Sequence, residues 1–71
     1  MPDMEFVDST NIEAIGYDAE TRELHVRFLK SGDTYVYFNV EEWLFQEFRH
    51  ADSKGTFLNE RIKKNHECSK L

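Results

Sequence analysis

Three stretches of the chain carry side chains able to do chemistry, and each suggests a different kind. His66-Glu67-Cys68 sets an imidazole, a carboxylate and a thiol in a row near the C-terminus. Structural metal sites close on four ligands, and a reactive thiol needs a positive environment to lower its pKa. Cys68 is the single cysteine and no paired-cysteine spacing exists, so no metal or cofactor is expected and the thiol reads as incidental. Ser53-Lys54-Gly55-Thr56-Phe57-Leu58-Asn59, continued by Arg61, Lys63 and Lys64, collects cations beyond a helix start. Such a segment could line a pocket for a phosphate backbone, since lysine and arginine release condensed counterions and helix N-termini favour anions. The plainer alternative is that Ser53 caps a helix, Gly55 permits a tight helix–helix turn and Asn59 bonds to the sheet edge. The third stretch, Tyr35-Val36-Tyr37, puts two rings at strand spacing, on one face of a sheet. Sheet aromatics stack on unpaired nucleobases. Lys54, Asn59, Arg61, Lys63, Lys64, Tyr35 and Tyr37 are therefore the candidate nucleic-acid-binding residues.

Catalysis finds little support. Nucleophilic chemistry needs a base held against a serine or cysteine, and the chain has no strand-to-helix serine elbow and no glycine-rich phosphate loop. His50 falls near the end of a helix, where it suits the dipole, and Glu41 and Glu42 fall in that helix's first turn, where carboxylates complement the positive end. A non-enzymatic protein is expected.

These residues must be positioned by very little chain. Seventy-one residues make one domain, and one this small buries only about 60% of its unfolded surface. Six Phe, three Tyr and one Trp offset the missing length, because each buried aromatic removes roughly 150–250 Å² from water. The formal charge of −5 opposes generic phosphate binding. It is unevenly spread: residues 1–23 hold seven carboxylates against Arg22 alone, whereas residues 49–71 hold six cations against three carboxylates. The unpaired cysteine fits a reducing compartment, the acidic start lacks the basic region of a signal peptide, and no apolar run approaches a membrane span. A cytoplasmic protein without a membrane partner is expected.

The hydrophobic period changes from two to about four along the chain. Ile12, Ile15 and Tyr17 mark a first strand whose register needs a bulge between the two isoleucines. Leu24, Val26 and Phe28 alternate with His25 and Arg27 in a second, and residues 34–38 form a third. Two parities are open for the last hairpin. A two-residue Ser31-Gly32 turn sets Phe28 opposite Tyr35 and turns both tyrosines to the core; a three-residue turn sets Phe28 opposite Thr34 and turns them outward beside His25 and Arg27. Asn39 is a candidate N-cap for a helix from Val40, with Leu44, Phe48, Ala51 and the neighbouring Trp43 forming a stripe against the sheet. A second helix is expected from Thr56 to about His66. The predicted class is α+β: a three-stranded antiparallel β-meander followed by two short α-helices packed on one face. Residues 6–66 form the domain between a flexible N-terminus at 1–5 and a flexible tail at 67–71.

The order of these words resembles the KTSC domain: Val7 and Ser9, then Ile15-Gly16-Tyr17-Asp18, Leu24-x-Val26-x-Phe28, Gly32 before Tyr35-Val36-Tyr37, Ser53-Lys54-Gly55-Thr56-Phe57-Leu58-Asn59, and Ile62. The resemblance covers roughly residues 6–66, and it departs at Glu41, where the family often has proline. It implies a small non-enzymatic module, found at the C-terminus of some lysyl-tRNA synthetases and as free-standing bacterial proteins, with tRNA-like or single-stranded RNA as the suggested partner. The alternative is a protein-interaction or self-association module that uses the aromatic-rich sheet.

Overall fold

Ile12 and Ile15 both reach the core because the chain inserts Glu13 between them. The computed structural model, which describes residues 2–71, pairs Ile12 with Phe28 but Ala14 with Arg27, so Glu13 is the extra residue of a β-bulge. The predicted bulge is therefore present, and strict alternation resumes after it. The sheet is antiparallel throughout and larger than expected, with five strands in chain order: β1 (Glu5–Phe6), β2 (Ile12–Asp18), β3 (Glu23–Phe28), β4 (Thr34–Tyr37) and β5 (Cys68–Lys70). The predicted three-strand meander is its centre. Residues 67–71, expected as a tail, hold β5, which pairs Tyr35 with Lys70 and Tyr37 with Cys68. Of residues 1–5, also expected to be flexible, Met1 lies outside the described residues and Glu5 opens β1 opposite Ile15. Neither edge strand is long enough for a hydrophobic period to announce it.

Polar side chains and two non-glycine residues at positive φ shape these connections. Asp18 Oδ1 accepts hydrogen bonds from the amides of Glu20 and Thr21 at 3.0 and 3.4 Å, and Arg22 closes the β2–β3 loop at φ 59°. Asn39 is not the predicted N-cap. It takes φ 58°, a left-handed conformation that asparagine tolerates better than most residues, and this aims the Val40 amide at Arg22 O, 3.0 Å away. The Tyr17 hydroxyl donates to Val40 O and fixes the same crossing. Helix α1 then spans Glu42–Arg49, with Glu41 at its N-cap and no side-chain cap. His50 ends it, its ring Nδ1 2.8 Å from Gln46 O.

Helix α1 buries Leu44, Phe45 and Phe48 but leaves Trp43 58% exposed, so the tryptophan is not in the stripe that meets the sheet. The ring of Phe45 stacks on Tyr17 at 4.8 Å between centroids, and Phe48 lies on Phe57 at 5.7 Å. The second helical segment is shorter and less regular than predicted. Helix α2 covers Lys54–Phe57, capped by Ser53, whose Oγ accepts from the Thr56 amide at 3.4 Å. It widens into a π-helical turn over Leu58–Ile62, closed by the Lys63 amide on Leu58 O at 2.7 Å. Leu58 and Ile62, four residues apart and so on one helical face, both reach the core with Ile15, Leu24, Val26, Tyr37 and Val40.

On the opposite face of the sheet, the chain's own beginning packs over Gly16. Ala14 and Gly16 of β2, His25 of β3 and Val36 of β4 form the middle of that face, and all are buried. Residues 2–4 leave the edge of β1 and fold over this face as a strap. A Cβ at Gly16 would meet both Asp3 O and Met4 Sδ at 2.7 Å, closer than such atoms approach, so glycine is required there by the strap's backbone. Gly16→Ala should lift or shift the strap and cost about 1–3 kcal/mol, the usual range for overpacking. Urea midpoints measure it; a midpoint equal to the parent's would mean that the strap yields without cost.

Candidate functional site

The hairpin between β3 and β4 decides where the tyrosines point. The observed register pairs Val26 with Tyr35 and Leu24 with Tyr37, and Phe28 N bonds to Asp33 O at 2.9 Å. Four residues, Leu29 to Gly32, make the turn, with Gly32 at φ 73° supplying the left-handed step. The loop is longer than either length considered from the sequence. It has the parity of the two-residue turn, so both tyrosines stand on the core side, one pair further along than that turn would set them. Tyr37 is 1% exposed. Burial, with Cys68 and Tyr35 nearby, pushes its hydroxyl pKa up to about 12. Tyr35 is half-buried and meets Phe28 edge to face at 5.7 Å.

The candidate residues do not form one surface. Tyr35, Tyr37 and Lys63 line a hollow of about 310 Å³ with Phe28, Ser31 and Cys68, between the hairpin and the end of the π-helical turn. Phe28 also borders a second hollow, of about 320 Å³, with Thr10, Asn11 and Lys30. Thr10 and Asn11 in turn border a third, of about 490 Å³, where Lys54 and Asn59 lie with Ser9, Ser53 and Asp52. The three hollows thus adjoin through shared walls. The sequence reading missed Phe28, Lys30 and Ser31 as wall residues, because their placement depends on the loop length; Phe28 also packs, partly buried, against the core.

The cations are partly committed. Arg61 donates from Nη2 to Glu47 at 3.1 Å and lies over the Phe57 ring at 5.0 Å. Lys54 Nζ donates to Ala51 O at 3.0 Å. Arg49 pairs with Glu5 at 3.0 Å and Lys70 with Asp33 at 3.3 Å. Packing brings these carboxylates from acidic parts of the chain onto the basic end, so the charge asymmetry of the sequence is blunted in space. Lys63 and Lys64 remain exposed. Asn59 is exposed and makes no bond to the sheet among the described residues, contrary to the structural role considered for it. Gly55 lies inside α2, where a Cβ would have ordinary contact with the Asn11 side chain at 3.5 Å, and forms no turn.

The remaining titratable groups have structural neighbours. His66 Nδ1 lies 2.9 Å from Phe38 O, docking the lead into β5. Cys68 is exposed on that strand. Tyr17 is raised above its ordinary pKa by burial and then by Glu42 and Glu41. No described helix is long and apolar enough to cross a membrane.

Comparison with known proteins is consistent from sequence to fold. The KTSC domain family model matches residues 8–66. A protein of Tsukamurella paurometabola is 40% identical over 60 residues, spanning 84% of this chain and 88% of its own. The crystal structure of a KTSC domain protein from Yersinia pestis superposes with a TM-score of 0.93 at 38% identity, covering 100% of this chain and 99% of that one. The family match covers most of the chain and the solved KTSC domain protein shares its fold, so the chain belongs to the KTSC domain family.

Proposed function

We propose that this protein is a non-enzymatic, cytoplasmic binding module for single-stranded RNA, which follows the three adjoining hollows along the hairpin. The observation that carries the reading is the wall of the first two: Phe28 and Tyr35, half-buried, stand between Lys30 on one side and Lys63 on the other. Aromatic faces flanked by cations are how sequence-tolerant single-strand binders hold base and backbone together. The association of KTSC domains with synthetases of tRNA points the same way. Tyr37 is too buried to stack and serves as floor. Arg61 and Lys54 contribute less than their charges promise, being held by Glu47 and Ala51. Affinity is weak, since the net charge of −5 repels phosphate.

Fluorescence anisotropy with a labelled single-stranded RNA, run from low to physiological salt, tests this. The parent should bind with affinity falling as salt rises. Lys30→Glu with Lys63→Glu should flatten the log–log salt slope by at least about 1.4, two contacts at roughly 0.7 each for a single strand, while the circular dichroism spectrum stays native. Absence of binding by the parent at low salt, or an unchanged slope in the double variant, rejects the RNA reading. A protein partner or second copy is then the better reading, favoured by the open edge of β5 and by Leu71 beside it, 62% exposed; such an interface would respond little to salt.

A further inference from the structure

We propose that the strap of residues 2–4 is an acid-released cover, held down by a neutral His25 and let go when that imidazole takes a proton. His25 stands directly across from Gly16 on the back of the sheet, and Asp3 O and Met4 Sδ press onto Gly16 from above. The histidine is 5% exposed, and its Nδ1 is buried with no hydrogen-bond partner among the described residues. A neutral imidazole can leave one nitrogen idle at modest cost. An imidazolium has two N–H donors to satisfy and a charge to solvate, and burying it unpartnered is far more costly. Water reaches that nitrogen once the strap lifts.

Glu23 of β3 and then Asp18 of β2 favour the cation, and the N-terminal amino group opposes it. Arg27, on the same face of β3, is committed to Glu13 at 2.8 Å. Burial first, helped by the N-terminal amino group, outweighs the carboxylates and holds the His25 pKa below the ordinary histidine value of 6.5. The sign follows. The docked strap binds the proton less well than the released one, so docking is at full strength above about pH 6.5, the released-state value. It weakens as pH falls below that, by up to tenfold in the docked-to-released ratio per unit, until the docked-state pKa is reached. Release hinges at Glu5, because β1 stays paired to β2 and the Val7 amide stays on Glu13 O at 3.1 Å.

The full chain, labelled with ¹³C at the methionine methyl groups, reports release directly. Between pH 8 and 4.5 the Met4 methyl should move from a docked to a free position, with the same midpoint as the His25 ring signals. Gly16→Ala supplies the free position at pH 8. In His25→Gln the Met4 methyl should stay docked across the range. Should that variant fail to fold, the shared midpoint in the parent decides alone. A Met4 methyl that stays docked while His25 titrates, a His25 that does not titrate by pH 4.5, or the same Met4 transition in His25→Gln would each overturn the proposal.

Discussion

Truncation of Phe48 to alanine should remove about 3–5 kcal/mol of stability, the cost of deleting a buried phenylalanine and leaving its cavity. The domain has little more than that to lose: at roughly 0.05–0.15 kcal/mol per residue, a chain of this length is stable by about 4–10 kcal/mol. Phe48 is 0% exposed, faces Phe57 and sits where α1 meets the second helical segment. Its ring therefore holds the two helical pieces together as well as filling the core. The π-helical turn adds to the sensitivity, since its wider hydrogen bonds depend on packing to persist. Phe28→Ala should cost distinctly less, because that ring is half-buried and lines the groove. Urea titrations of both variants check the ranking. A Phe28 variant that loses as much as the Phe48 variant would place the hairpin in the core and remove it from the binding track.

The central sheet and the helical half were legible because their periods are long enough to read. Leu24, Val26 and Phe28 alternate without interruption, and Ile12 and Ile15 fit the same face only if Glu13 bulges, which is what occurs. The ends were not legible. Glu5–Phe6 and Cys68–Lys70 are strands of two and three residues. What holds them is tertiary: a strap against Gly16, the His66 ring on Phe38 O, the Lys70 ammonium beside Asp33. The candidate site was legible as residue types and not as a surface. Tyr35 and Lys63 do meet, yet the loop of four residues that brings Phe28 and Lys30 to them differs from both shorter turns by main-chain geometry that Lys30-Ser31-Gly32-Asp33 does not spell out. Likewise, the spacing of Arg61 and Lys54 carries no sign that Glu47 and the Ala51 carbonyl will hold them. Asn39 shows the same limit at one residue, since a cap and a left-handed turn favour asparagine alike.

Tyr37 gives the strongest pH response expected of the fold, at the alkaline end. Its folded-state pKa of about 12 lies above the ordinary tyrosine value of 10.0 because burial disfavours the phenolate, with Cys68 and Tyr35 adding to it. A raised pKa means that the folded state holds the proton more tightly than the unfolded chain does. The associated stability is fully present below pH 10 and is lost as pH climbs from there towards 12. Two units correspond to about 3 kcal/mol, a large share of what this domain has, and Tyr17, also raised, acts in the same direction. The protein should therefore be less stable by about 3 kcal/mol at pH 12 than at pH 10, and the absorbance step of the Tyr37 phenolate should fall in that interval. Tyr37→Phe keeps the ring in the core and deletes the titrating group, so its stability, measured by urea midpoint at each pH, should fall far less over that interval. If Tyr37 of the folded parent ionises near pH 10, or if Tyr37→Phe declines as steeply as the parent, Tyr37 is not sequestered beneath the groove and the floor assigned to the RNA track is open to solvent.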